Sequence, residues 1–263
     1  MAKKKSPMPE PMPAKKRGTK FVLSGKPGLE GQVALVTGGN KGIGLAIAEA
    51  LAAEGCKVVI AGRDRAALRH ATTVLSKYGH AVVPVEADVT QEISVVRMFE
   101  EVRRRFGRLD ILINNAGIAG NGASVAETPL DVWRKIVDTN LTGVFLCCRT
   151  ALPLMKAGAT IVNNLSVAAE QVFPGLGAYA ASKHGALGLT RALREELKEQ
   201  GIRVLALMPG ATDTDIWDQF WPDAPHEKMM APESVAAALI AALRLPPEST
   251  VESIRMQPTG GVL

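Results

Sequence analysis

Cysteine is scarce in this chain, and long apolar runs are missing from it. Only three cysteines, Cys56, Cys147 and Cys148, stand among 263 residues; two are adjacent and none has metal-ligand spacing. That argues against a metal site and fits the reduced thiols of a cytoplasmic protein. No stretch reaches the roughly 18 apolar residues of a spanning helix. The first thirty residues lack the apolar segment of a secretory signal, and Pro7, Pro9, Pro11, Pro13 and Pro27 argue against an amphipathic transit helix. Neither an internal repeat nor an interdomain linker interrupts the rest.

Acidic residues are outnumbered, but only at one end. Residues 1–30 carry a net of +6 out of the chain's +5, which leaves −1 for residues 31–263. The basic balance therefore describes a tail, and a basic nucleic-acid-binding face on the body is not supported. The tail is rich in Lys and Pro and almost without apolar residues before Phe21. It cannot bury enough surface to offset its ordering entropy, and it reads as a disordered, solubilising extension or a polyanion- or membrane-surface-binding one. The expected division is a disordered arm over 1–30 and one folded domain over 31–263. A hydrophobic content of 47% supplies an ordinary core for it.

From residue 32 the chain alternates short β-branched runs with longer amphipathic ones. Strands are expected at Val33–Val36, Lys57–Ala61, Val82–Glu86, Ile111–Asn114, Ile161–Asn164, Arg203–Leu207 and Val251–Met256. Helices are expected at about 43–54, 65–78, 91–106, 129–156, 176–199 and 232–244. Several strands are apolar nearly throughout, as parallel strands covered on both faces are. The alternation predicts an α/β fold: one Rossmann-type, doubly wound domain with a seven-stranded parallel sheet flanked by helices. In such sheets ligands bind beyond the carboxyl ends of the strands. Thr37-Gly38, Arg63, Asp88, Asn114, Ser166 and Pro209-Gly210 all fall on those ends and should converge on one crevice.

TGGNKGIG, Thr37–Gly44, follows the first strand and opens the first helix. Gly38, Gly42 and Gly44 permit a tight turn and close backbone approach, and the helix offers unpaired N–H groups to a pyrophosphate. Asn40, Lys41 and Ile43 complete this loop. At the end of the second strand Gly62 stands where an acidic residue would select the free ribose hydroxyl of NAD; Arg63 follows, with Lys41 in the glycine loop. Two cations and no anion suit the 2′-phosphate of NADP, unless both are merely solvated. Asp64 is the competing candidate for that carboxylate, but it lies one step further into the loop, where capping the next helix is the expected role. Asp88-Val89 is either an adenine contact or a helix cap. NNAG, Asn114–Gly117, either ties strand ends together or brings Asn115, Ala116 and Gly117 against a ribose.

Tyr179 and Lys183 sit four apart in YAASK, thirteen residues after Ser166. On a helix, positions i and i+4 share a face. A cation beside a phenol lowers its pKa from about 10 and makes it a usable acid or base. The competing reading is an ordinary amphipathic helix.

TGGNKGIG, Asp88-Val89, NNAG, Asn140 in DTNLTGVF, Ser166, YAASK and PGATDT occur together in the order and spacing of the short-chain dehydrogenase/reductase family, which the chain resembles over about residues 31–258. The resemblance implies that Tyr179 is the general acid, that Lys183 depresses its pKa and binds the nicotinamide ribose, and that Ser166 holds the substrate oxygen. It implies that Asn140 kinks its helix and holds a water joining Lys183 to solvent. Pro209, Gly210, Thr212 and Thr214 would face the nicotinamide. Relatives pair long helices into homodimers or homotetramers, and the same is expected of 129–156 and 176–199.

Two features depart from the family. Leu165 precedes Ser166 where a serine is frequent. The helix ends MKAGAT (Met155–Thr160) and KEQG (Lys198–Gly201) lack the basic clusters that 3-oxoacyl-carrier-protein reductases, similar in plan, use to dock an acidic carrier. Asp215–Met230 contains Trp217, Phe220 and Trp221, either a lid over a hydrophobic substrate or plain packing. The expected activity is NADP(H)-dependent reduction of a ketone, aldehyde or 3-oxoacyl substrate. The alternatives are an NAD(H)-linked dehydrogenase of an alcohol, sugar or steroid, and a nucleotide sensor without turnover.

Overall fold

The computed structural model describes residues 28–79, 81–246 and 248–261. Seven strands, β1 (Val33–Thr37), β2 (Lys57–Gly62), β3 (Val82–Glu86), β4 (Ile111–Asn114), β5 (Thr160–Asn164), β6 (Arg203–Pro209) and β7 (Ser253–Met256), form one sheet. Its order is β3-β2-β1-β4-β5-β6-β7, and every pairing is parallel. Between the strands run α1 (Gly42–Ala53), α2 (Arg65–Leu75), α3 (Glu92–Phe106), α4 (Leu130–Val137), α5 (Gly143–Ala151), α6 (Gly177–Leu197) and α7 (Pro232–Leu243).

Alternation along the strands explains the two cores. Leu35, Val59, Leu112, Ile161 and Val204 point to the face covered by α3, α5 and the end of α6. Val36, Ile60, Ile113, Val162 and Leu205 point to the opposite face, under α1, α2 and α7. Each fully buried Leu or Ile contributes on the order of 1.5–3 kcal/mol, which is why the centre of the sheet is apolar on both sides. Local signals set the helix ends. Asp64 caps α2, its Oδ1 accepting from the amides of Ala66 and Ala67 at 2.8 and 3.1 Å. Pro232 opens α7 at a position where no amide is needed. Arg103, Arg104 and Arg105 favour the C-terminal dipole of α3 before Gly107 ends it in the left-handed region.

The expected single helix over 129–156 is instead interrupted. A π turn at Asp138–Thr142 separates α4 from α5, and α5 stops at Ala151. Hydrophobic periodicity does not register one extra residue in a turn; the Asn140 side chain, drawn off to a neighbouring loop, accounts for it. The last strand is also shorter than expected, beginning at Ser253.

The proposed arm over 1–30 lies outside the described residues except for 28–30. There Leu29 is buried in the core, and the amide of the adjoining Gly31 bonds the carbonyl of Gly55 at 3.0 Å. Among the described residues no helix is long and apolar enough to cross a membrane. The three cysteines are free and buried, and burial pushes Cys56 and Cys148 up to about 12. They are poor nucleophiles there.

Candidate active site

The order of the sheet reverses between β1 and β4, and a cleft of about 940 Å³ opens beyond the carboxyl ends of the strands at this point. The strand ends forming its floor are laced together by amides. Asn115 Nδ2 donates to the carbonyls of Thr37 and Gly38 at 3.0 and 3.1 Å, while its Oδ1 accepts from Asn164 Nδ2 at 2.8 Å. Beneath, Asn114 Nδ2 bonds Asn163 Oδ1 at 2.8 Å, and Asn163 Nδ2 bonds Thr190 Oγ1 at 2.9 Å. Of the two readings of NNAG, tying strand ends is thus directly seen for both asparagines. Ala116 and Gly117 pass along the cleft beside them.

The glycine loop is as tight as its sequence suggests. Gly38 has φ of 62°, and a Cβ there would lie 2.9 Å from Asn115 Nδ2. A Cβ on Gly44 would run into the Gly38 carbonyl oxygen. Asn40, Lys41, Gly42 and Ile43 line the same end of the cleft with Gly62 and Arg63. A Cβ on Gly62 would stand 2.6 Å from Asn40 Oδ1. Lys41 Nζ pairs with Asp215 Oδ2 at 3.2 Å, both exposed, whereas Arg63 has no ion-pair partner among the described residues. Asp88 Oδ1 accepts from the amide and hydroxyl of Thr90 at 2.9 and 2.8 Å, a local turn preceding α3; Gln91, not Asp88, occupies the cap position. Val89 stands beside it on the wall of the cleft.

Midway along the cleft lie Ser166, Tyr179 and Lys183. Tyr179 and Lys183 project from one face of α6, and Ser166 comes from the loop after β5. Ser166 Oγ accepts from the Ala168 amide at 3.1 Å, capping a short helical turn. Lys183 is 5% exposed and its Nζ donates to the Asn164 carbonyl at 3.1 Å. Its Nζ is 5.5 Å from the centroid of the Tyr179 ring. The electrostatics differ from the simple expectation that the lysine lowers the phenol. Desolvation dominates at both groups: it pushes the Tyr179 phenol up, with the Ser166 hydroxyl pulling the other way, and holds Lys183 down to about 8. The ammonium lies toward the ring face and the Asn164 carbonyl.

Asn140 lies in the π turn between α4 and α5, and its amide bonds two neighbouring segments. Oδ1 accepts from the Ile118 amide at 2.9 Å, and Nδ2 donates to the Ile118 carbonyl at 2.8 Å and to Ser182 Oγ at 3.0 Å. These bonds fix the loop after β4 against α6.

Pro209, Gly210, Thr212 and Thr214 bound the far wall. Thr214 Oγ1 donates to the Thr212 carbonyl at 3.4 Å and Thr212 Oγ1 to that of Gly210 at 3.0 Å, so both hydroxyls bond within their own loop. Trp217, Phe220 and Trp221 roof this end. The Trp217 ring is 5.1 Å from Phe220 and 6.0 Å from Trp221, and its Nε1 donates to the Thr212 carbonyl at 2.8 Å. They pack on one another and line the cleft at once, so lid and packing are the same arrangement. Gln219 ties the roof down, its Oε1 accepting from the Ala119 amide at 3.3 Å.

Sequence reasoning passed over Asn164, Gln219 and Gln257. Asn164 and Gln257 follow or end strands and were findable by the same strand-end rule; Gln219 carries no pattern.

A model of the short chain dehydrogenase family matches residues 32–225. The chain belongs to that family. This short chain dehydrogenase is 37% identical over 189 residues to a 3beta-hydroxysteroid dehydrogenase of Mediterraneibacter gnavus, covering 72% of this chain and 68% of the relative. An alcohol dehydrogenase from the archaeon Thermococcus sibiricus, complexed with 5-hydroxy-NADP, superposes with a TM-score of 0.82 at 29% identity, over 88% of this chain and 97% of that one. A 3-ketoacyl-(acyl-carrier-protein) reductase from Brucella melitensis, complexed with NADH, gives 0.79 at 31% identity over 88% and 98%. The protein is therefore an oxidoreductase that works with a nicotinamide cofactor.

The residues present fit such a group. The glycine loop is closed to any side chain at 38 and 44 and leaves backbone amides at the start of α1. Two buried polar atoms on the cleft wall, Asn164 Oδ1 and Gln257 Nε2, have no protein partner among the described residues, which suits a polar ligand.

Proposed function

We propose that the protein reduces a ketone, aldehyde or 3-oxoacyl group to the alcohol with NADPH. The observation that carries this reading is the convergence of Ser166, Tyr179 and Lys183 on one stretch of cleft wall, downstream of a glycine loop whose neighbouring strand ends in Gly62 and Arg63, with the next carboxylate, Asp64, bonded to the start of α2. Gly38, Asn40, Lys41, Gly42, Ile43, Gly44, Arg63, Asp88, Val89, Asn115, Ala116 and Gly117 would hold the adenosine, pyrophosphate and ribose. Pro209, Gly210, Thr212 and Thr214 would hold the nicotinamide.

The cofactor's nicotinamide, when bound, supplies the hydride. Ser166 donates a hydrogen bond to the carbonyl oxygen as negative charge develops on it. Tyr179 delivers the phenolic proton to that oxygen. Lys183, whose ammonium burial lowers to about 8, stabilises the phenolate left behind and returns a proton to it. Asn140 acts by fixing the Ile118 loop, which forms the wall facing Tyr179. Oxidation of a secondary alcohol uses the same groups in reverse, with Tyr179 as base, and the hydroxysteroid dehydrogenase relative favours keeping that direction in view. Exposed Leu130 and Trp133 on α4 and Phe145 on α5 support pairing of these helices in a homodimer.

The test is NADPH oxidation with a panel of carbonyls by the full chain. Turnover with at least one ketone, preferred with NADPH over NADH, is expected. Saturable NADPH binding with no turnover in either direction would leave a nucleotide-binding protein without this chemistry.

A further inference from the structure

Charge is distributed unevenly along the cleft. Its ionisable side chains other than Tyr179 and Lys183 are Lys41, Arg63, Asp64, Asp88 and Asp215, which lie at the glycine-loop end or on the rim. Past Tyr179 the walls are Ile118, Phe173, Leu176, Trp217 and Phe220, with the Gln219 Oε1 accepting from the Ala119 amide. Leu165, where a serine is frequent in the family, is 4% exposed and packs with Met208 and Leu187 below, extending the apolar floor. An ion entering this half would lose its hydration without gaining a counter-charge. Flat rings, by contrast, find aromatic faces and edges to lie against.

The segment that carries the aromatic roof adds a second constraint, and its Asp215 lines the cleft. Over residues 213–228 stand Asp213, Asp215, Asp218, Asp223 and Glu227 against Lys228 alone, a formal −4 with His226 neutral. All five acids are exposed. Asp213 pairs with His226 at 2.7 Å and Asp215 with Lys41, but Asp218, Asp223 and Glu227 have no ion pair among the described residues. A phosphorylated carrier or an acidic protein brought against this segment would meet like charge.

We propose, resting on the oxidoreductase reading above, that the substrate is an uncharged, low-polarity, ring-bearing ketone or the matching secondary alcohol. It is taken as a free molecule and not as an anionic carrier thioester. The aromatic roof selects the ring, and the acidic segment that bears it rejects the carrier.

Three carbonyl compounds separate the alternatives: decalone, the neutral thioester S-acetoacetyl-N-acetylcysteamine, and acetoacetyl-coenzyme A, which offers the same reacting ketone on an anionic carrier. The expected kcat/KM for decalone exceeds that for the coenzyme A thioester by about tenfold or more at low ionic strength. The neutral thioester is expected to outperform its charged counterpart, and the double variant Asp218→Lys/Asp223→Lys to narrow that gap. Equal or better use of the coenzyme A thioester, or a gap unmoved by charge reversal, overturns the proposal. Binding is read separately by quenching of Trp217 and Trp221 fluorescence in a Trp133→Phe background. Saturable quenching by decalone but not by the coenzyme A thioester, with no ketone reduced, would leave the ligand class standing while the catalytic reading fails. Quenching by the coenzyme A thioester at equal concentration, or none by decalone, overturns the class itself.

Discussion

Gly62 lies against the side chain of Asn40, so close that a Cβ on residue 62 would stand 2.6 Å from Asn40 Oδ1. The place where a carboxylate would select an unphosphorylated ribose is thus filled from the glycine loop. Gly62→Asp alone should impair use of both cofactors, because the new side chain and Asn40 compete for one volume. Gly62→Asp with Asn40→Gly should shift the NADPH-to-NADH ratio of kcat/KM toward NADH by roughly tenfold or more. A double variant that keeps the parental ratio would show that this strand end does not read the ribose.

Arg63 has no ion-pair partner among the described residues, unlike Lys41. Arg63→Ala should therefore raise KM for NADPH by about ten- to a hundredfold, the loss of one charge-assisted phosphate contact, with little change for NADH. An equal effect on both cofactors would place Arg63 outside any phosphate site.

Tyr179→Phe keeps the ring and removes only the hydroxyl that carries the proton. It should lower kcat by about 10²–10⁴ with cofactor affinity unchanged, as loss of general acid catalysis does. A variant retaining more than a tenth of the activity would remove Tyr179 from the chemistry.

Burial holds Lys183 down to about 8 against an ordinary value of 10.5. Between those values the unfolded chain binds the extra proton, so this lysine makes stability rise with pH over that window. Tyr179 acts oppositely above its ordinary 10, since burial raises its phenol. The buried thiols of Cys56 and Cys148, raised to about 12, oppose this in parent and variant alike. In urea unfolding from pH 8 to 10 the parent should therefore gain stability relative to Lys183→Met as pH rises. Identical profiles would mean that Lys183 is not desolvated in solution.

Asn163 is fully buried and joins Asn114 to Thr190. Asn163→Ala should destabilise by roughly 1–3 kcal/mol by leaving buried partners unmatched. A variant unfolding at the parental urea midpoint would show that water replaces the amide at no cost.

The sheet was legible because β-branched runs such as Val58–Ile60 alternate with helices, and such runs have one stable arrangement when covered on both faces. The cleft was legible because its residues fall on strand ends. What escaped depended on contacts between distant segments. Nothing local to DTNLTGVF marks the π turn, which accompanies the bonding of Asn140 to Ile118, twenty-two residues away. The i, i+4 spacing placed Lys183 beside Tyr179 correctly, yet spacing carries no information on burial, and burial decides both proton affinities here. Asp215, which meets Lys41 across 174 residues, could not have been paired from sequence.

The asparagine lacing couples β1, β4 and β5 at the ends where ligands bind, while the aromatic roof is tied across the cleft by Gln219 and an exposed ion pair. The floor should then open only when the whole domain unfolds, and the roof by small local excursions. Deuterium uptake would separate the two: slow at the amides of residues 114–116, whose rate would follow global stability, and fast over residues 214–222. Ligand exchange would thus proceed through a yielding cover above a base that holds its geometry from one turnover to the next.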